Sequence, residues 1–446
     1  MRRHRFHLVA LLLALALTAM AAGCGGDGDD GGSAGGESTG TAEGSGDVSG
    51  KISLMGIWVG TEQESVEAVL DGFRDKYPNV DVKYNAAGDN LVTILSTAVE
   101  GGNPPDLATI AQPALVREYV DKGELQPIDF AEDTVTENYG ESQVELGKVD
   151  GTLYSFPFKG ANKSTVWYNV TVFEDAGVEP PETWDDFLAN AETLQASGVP
   201  AYSIGGADGW TLTDLFENIY IRTAGPEMYD QLAAHEIPWT DQSVKDALTE
   251  MAKVLGDTDN VAGGTQGALQ TDFATSVTQA FADPPKAAQV IEADFVAGEI
   301  VNATDAEPET GFNVFTFPSI NDSEAAVVGA SDSLVMFKDS PAAQALVEYL
   351  ATPEAAQIWV ERGGFASPNK NVPADAYPDA ILRETATALA EAETFRFDLS
   401  DLQPSEFGGT VGQGLFKLFQ DFLANPDDVD GIAQKMEAAA AKAYGG

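Results

Sequence analysis

Residues that ligate metals or supply nucleophile and base together are scarce in this chain. Its only cysteine is Cys24, and its three histidines are His4, His7 and His235. Zinc sites built on Cys and His sets need three or four such ligands at close spacing, and none is available here. A Ser-His-Asp triad would have to draw on His235, which stands in a polar stretch just before Pro238. Two formal motifs carry little weight. Gly23, Gly25 and Gly28 fit G-x-G-x-x-G with no strand before them and no helix after. Asp428, Asp430, Gly431 and Glu437 fall at calcium-loop positions whose first ligand would be Pro426. The expectation is a chain with no catalytic group, no cofactor and no metal.

The position of Cys24 has a different meaning. Arg2, Arg3 and Arg5 precede an apolar run over 8–22, and Ala21-Ala22-Gly23 stand immediately before the cysteine. A cationic start, an apolar stretch of about 15 residues and small residues before a cut make a secretory signal, whereas a membrane span needs about 20. Residues 1–23 are therefore expected to be removed. Cys24 is then expected to carry the acyl chains of a lipoprotein, since two or more chains hold a protein stably to a membrane. Between 25 and 50 lie eleven glycines, six acidic residues and no basic one. Such a stretch cannot bury enough surface to order itself, and 24–50 is read as a leash with ends roughly 25–30 Å apart.

About 400 residues remain, enough for two or three domains of about 100–200 residues each. Hydrophobic residues make up 43% of the chain, which suits a globular body, and the formal charge is −47. That field repels polyanions, so nucleic acid is not an expected partner.

The body opens as alternating strand and helix. Residues 52–58 read as a buried strand, then Thr61 and Glu64 make a capping-box pattern ahead of Val66, Val69, Leu70, Phe73 and Tyr77 at helical spacing, stopped by Pro78. Strand alternation over 80–84, a helix over 90–100, a short strand over 107–110 and a helix over 114–121 follow. Repeated strand-helix pairs predict an α/β fold with mainly parallel sheets covered by helices, and such sheets bind ligands beyond the carboxyl ends of their strands. Those ends carry Trp58 and Glu62, Asp89, and Gln112. Further on, Thr183 caps a helix over 184–197, and Ser340-Pro341 and Thr352-Pro353 each set a capping hydroxyl before a first-turn proline. Helices over 414–423 and 431–444 close the chain, with strands over 312–317 and 326–337 before them.

The stretches GIWVGTEQESVEAVLDGF, GNPPDLATIAQP, PFKGANKSTVWYN, PPETWDDF, FADPP, the alanine-rich SPAAQALVEYLATPEAAQIW, GGFASPNK and TFRFD, in this order, resemble the extracellular solute-binding proteins of carbohydrate ABC importers, the maltose-binding-protein-like superfamily. GIWVGTEQES, YDQLAAHEIPWTD, the Gln270-Thr271-Asp272-Phe273 run and GGFASPNK look most like its α-glucoside-binding subset. The resemblance implies a type II two-lobe fold with a hinge near 159–163, 321–325 and 365–369. One lobe then takes 51–160 and 323–366, the other 161–322 and 367–446. It also implies a carbohydrate held in the cleft, ABC permease subunits as partners, a monomer, no enzymatic activity, and a place on the extracytoplasmic face of the cell membrane.

A neutral sugar offers hydroxyls, which suit carboxylate, amide and guanidinium groups, and C–H faces, which lie on aromatic rings. Trp58, Trp210 and Phe365 are the expected stacking residues, and Glu62, Asp89, Gln112, Asp272 and Arg396 the expected hydroxyl partners. Trp184 and Trp359 sit at apolar helix positions and are expected in cores. The wealth of carboxylates leaves two other readings open: a cationic solute such as a polyamine, and a glycosidase using two carboxylates about 5–9.5 Å apart.

Overall fold

The computed structural model describes residues 48–445, so the leader, Cys24 and nearly all of the leash lie outside the described residues. Strand β1 (Gly50–Gly56) pairs in parallel with β2 (Val80–Ala86) and with β3 (Leu107–Ile110). Helices α1 (Gly60–Lys76) and α2 (Leu91–Glu100) connect them, and α3 (Pro113–Asp121) follows β3. The burial of Val66, Val69, Leu70 and Phe73 along α1 follows the spacing read in the sequence. The start of α1 does not. It begins behind extended Val59 with no side-chain cap, because the Thr61 hydroxyl points instead to Glu299, 2.8 Å away.

After a small hairpin, β4 (Lys148–Val149) with β5 (Thr152–Leu153), the chain enters β6 (Ser155–Asn162), buried along its whole length, and passes almost at once into β7 (Thr165–Asn169). These two strands belong to different sheets. β7 lies between β8 (Gln289–Ile291) and β9 (Phe312–Thr316) in a three-stranded antiparallel sheet. β10 (Val327–Met336) then returns to the first sheet, pairing antiparallel with β6 and β3, while β11 (Phe395–Phe397) runs parallel to its first residues. The first sheet therefore reads β11-β10-β3-β1-β2, with β6 on β10. It is mixed rather than purely parallel for a geometric reason. β1, β2 and β3 run toward the gap between the lobes, whereas β10 enters from that gap and must run away from it.

Each lobe has its own core. One face of the first sheet packs on α1 and on the helices Pro341–Leu350 and Pro353–Val360; the other packs on α2 and α3. The second lobe is mostly helical, built around the helix Trp210–Ala224, of which every residue from Thr211 to Arg222 is buried. The helix caps read from the sequence are formed: the hydroxyls of Thr183, Ser340 and Thr352 accept the N–H groups of Asp186, Ala343 and Ala355. Each is worth about 1 kcal/mol. Trp184 and Trp359 are core residues, 3% and 1% exposed. The result is a two-lobe α/β fold in which buried strands, not a loose linker, form the joint.

Candidate functional site

Where the lobes face each other they leave a cavity of about 440 Å³, within the size range of small-molecule sites. Its floor is the joint. β6 brings Lys159, with Lys163 just beyond it, and β10 brings Ser331 and Asp332. A charge in a buried strand needs a partner, and each has one. Lys159 Nζ lies 2.8 Å from Glu62 Oε1, and Asp332 Oδ2 accepts the Trp58 indole N–H at 2.7 Å. Burial works against the charge on Lys159, but Glu62 and Asp332 more than offset it and hold the pKa above the ordinary lysine value.

The first lobe lines the cavity with the turns and helix starts at the carboxyl ends of β1, β2 and β3, which carry Trp58 and Glu62, Asp89, and Gln112. Trp58 is only 1% exposed. Its ring is packed against Tyr84, Phe158 and Trp359, the last at 4.8 Å edge-on, so only an edge reaches the cavity. Gln112 Nε2 donates to Asp401 Oδ1 at 2.8 Å, and its buried Oε1 has no hydrogen-bond partner among the described residues.

The second lobe supplies an aromatic wall. Trp210, Phe273 and Phe295 meet in tilted and edge-on pairs with centroids 5.4, 6.0 and 5.2 Å apart. Gly209, with φ of 85°, sets Trp210 at the first turn of its helix, and a Cβ there would lie 2.7 Å from Phe416 Cβ. Phe273 is fixed from both sides. Its N–H goes to Asp208 Oδ2 at 2.6 Å, and Asp272 caps its helix through the Thr275 N–H at 2.7 Å. Asp89, Asp208 and Asp272 thus gather at the rim. Burial first, then the charges of Asp89 and Asp272, push Asp208 up to about 6, while the Phe273 N–H pulls the other way. Asp89 is raised by burial and by Asp272 and Glu62, with the nearby Trp210 side chain on the facing lobe pulling the other way.

Below the floor lies a second acidic group. The Lys163 ammonium binds Asp398 and, at 2.9 Å, Asp214, with its charge 5.7 Å from the centre of the Trp210 ring. Glu217 accepts the N–H groups of Leu399 and Ser400 at 2.9 and 3.0 Å. Oxygens of Asp214, Glu217 and Asp398 lie within 4.8 Å of one another, close enough to hold a cation, and Lys163 already provides one to two of them. Burial alone would raise Asp398; the Lys163 charge outweighs it and leaves this carboxyl below its usual range.

Of the residues expected from the sequence, Trp58, Glu62, Asp89, Gln112, Trp210 and Asp272 line this one cavity. Phe365 and Arg396 do not. Phe365 is 1% exposed against Phe158 and Trp359, since its loop docks on β6 through the Gly160 N–H and the Ala366 carbonyl. Arg396 turns to the surface and forks onto Asp230 at 2.6 and 2.9 Å. Cys24 lies outside the described residues. Sequence reasoning missed Lys159, Asp208, Phe273, Phe295 and Asp332. Lys159 and Asp332 had a signal, as charges flanked by apolar residues such as Phe156, Phe158, Leu334 and Val335; Phe295 had none.

Residues 59–357 match the family described as bacterial extracellular solute-binding protein. Two similar proteins are the osmoprotective compounds-binding protein GgtB of Synechocystis, 33% identical over 82% of this chain and 86% of that one, and the alpha-glucosides-binding periplasmic protein AglE of Rhizobium meliloti, 33% identical over 87% and 86%. Among solved structures, a chitin oligosaccharide binding protein superposes with a TM-score of 0.76 at 20% identity, covering 89% of this chain and 100% of the other. The bacterial solute receptor AcbH gives 0.77 at 19%, covering 88% and 98%. The chain belongs to the bacterial extracellular solute-binding proteins, with the two-lobe type II fold of maltose-binding-type receptors, and is a binding protein, not an enzyme.

Proposed function

We propose that this protein captures a small α-linked glucoside, a disaccharide or short oligosaccharide, outside the cytoplasm and delivers it to the membrane permease of an ABC importer. The observation that carries this reading is the pairing of opposed walls: Trp210, Phe273 and Phe295 on one lobe, and Glu62, Asp89 and Gln112 on the other. Flat C–H surface suits the first wall and hydroxyls suit the second. Neither wall alone satisfies a sugar. A ligand that touches both lobes only when they are together stabilises the closed form by that difference, which is a population shift. The similarity to AglE supports the α-glucoside class. Trp58, Glu62, Asp89, Gln112, Trp210 and Asp272 are the proposed contacts.

We also propose that the mature chain begins at Cys24, acylated there and tethered as a monomer by the glycine-rich stretch behind it. Intact mass spectrometry of the native protein reads the added acyl mass directly. For the main proposal, titration calorimetry of the mature chain against maltose, sucrose and trehalose should give heat with at least one of them. No heat with any would remove the carbohydrate assignment. A second reading, a cationic solute, is favoured by one observation: carboxylates gather at the rim, where Asp272 helps raise Asp89 and both help raise Asp208. Binding that collapses between low and high salt would point to it, since a neutral sugar is insensitive to screening.

A further inference from the structure

Resting on the carbohydrate reading, we infer that the cleft takes two sugar rings and excludes a third, with cross-lobe hydrogen bonds acting as stops on its flanks. α1 and α3 lie on opposite faces of the first sheet, in separate cores, so their starts flank the cavity on opposite sides. Each start is tied to the other lobe. On the α1 side the Thr61 hydroxyl donates to Glu299 Oε1 at 2.8 Å, one residue from Glu62 on the cavity wall. On the α3 side Gln112 donates to Asp401 at 2.8 Å, both lining the cavity, and behind them the Ser405 hydroxyl donates to Glu118 Oε1 at 3.2 Å.

An oligosaccharide that overran the cavity would have to break one of these ties to leave it. The volume agrees. At the density of organic crystals a disaccharide fills roughly 350 Å³ and a trisaccharide roughly 500 Å³, and the cavity of about 440 Å³ falls between them.

Calorimetry of the mature protein tests this with matched pairs: maltose against maltotriose, and sucrose against raffinose. The third ring should weaken binding roughly ten- to a hundredfold, the effect of forcing open one charge-assisted hydrogen bond. Equal or tighter binding of the longer sugar overturns the limit. Silence across every sugar sinks the carbohydrate reading and this limit with it. Glu299→Ala and Ser405→Ala, each checked for an unchanged far-ultraviolet melt, open one flank apiece. At least one should narrow the gap between two rings and three, and a gap unchanged in both shows that the stops lie elsewhere and overturns their assignment.

Discussion

Two acidic groups lie at the same cavity in this protein and are built in opposite ways. Below the floor, Asp214, Glu217 and Asp398 are buried; Lys163 holds Asp398 and one oxygen of Asp214, backbone N–H groups hold both oxygens of Glu217, and of the six oxygens Asp214 Oδ2 alone lacks a partner among the described residues. At the rim, Asp89 and Asp272 are exposed, and with Asp208 they face one another with few donors. A carboxylate satisfied internally has nothing left to give a ligand. One that lacks partners keeps its lone pairs for hydroxyls arriving from solution. The lower group therefore ties the second lobe together near the joint, while the upper one fits the proposed role of meeting a ligand.

The sharpest way to break this contrast is Lys163→Met. It strands buried carboxylates without their cation, and removing one partner of a buried pair costs about 3–5 kcal/mol, readable as a fall in the urea midpoint. A loss under about 1 kcal/mol would mean that the lower group needs no cation and that the two groups differ less than their geometry suggests.

Next in size is the response to pH. Asp294, which accepts the Asn162 N–H in the joint at 3.1 Å, is pushed up to about 7 by burial, against the opposing charge of Lys159. Asp208 at the rim reaches about 6. The unfolded chain gives up these protons near the ordinary value of 3.8, while the folded chain keeps them to about 6 and 7. Folding thus takes up protons in that window, so stability falls as pH rises from about 4 to about 7 and levels off above. Acidifying from pH 7.5 to 5 should raise the melting temperature, with at most about 2.5 kcal/mol coming from Asp294. Asp398, held low, acts in the opposite sense and only below its ordinary value of 3.8. A melting temperature that drops steadily over the same range would contradict the assignment.

Trp210→Ala tests the rim directly. It should weaken sugar binding by about 2 kcal/mol, roughly thirtyfold, the cost of truncating a central aromatic contact, as measured by calorimetry. Unchanged affinity would move the ligand off the aromatic wall. The smallest effect belongs to Arg396→Ala. Its ion pair with Asp230 is a surface one, worth under about 1 kcal/mol, and its distance from the cavity predicts an unaltered dissociation constant.

Much of this arrangement was readable before the fold was known. Thr183, Ser340-Pro341 and Thr352-Pro353 mark helix starts because a cap is a local event, settled within four residues. Trp184 and Trp359 declared themselves as core residues by helical spacing. The capping-box pattern at Thr61 misled for the converse reason: its hydroxyl had a choice between a partner three residues on and Glu299 in the other lobe, and only the second is visible in three dimensions. Trp58, Trp210 and Phe365 are all aromatic residues at or beside loops. Nothing local separates an indole half-open to a cleft from a phenyl ring sealed against Trp359. Arg396 likewise found Asp230, 166 residues away, before it could find a ligand.

The sequence by itself determined the elements, the absence of His and Cys chemistry, and which strand ends could meet a solute, because periodicity, capping and composition act over a few residues. The tertiary structure decided which carboxylates are neutralised and which aromatic faces stay open. Those outcomes depend on long-range partners, as when β6 and β10 carry Lys159 and Asp332 into the same floor, and burial sets the energetic weight of every charge it encloses.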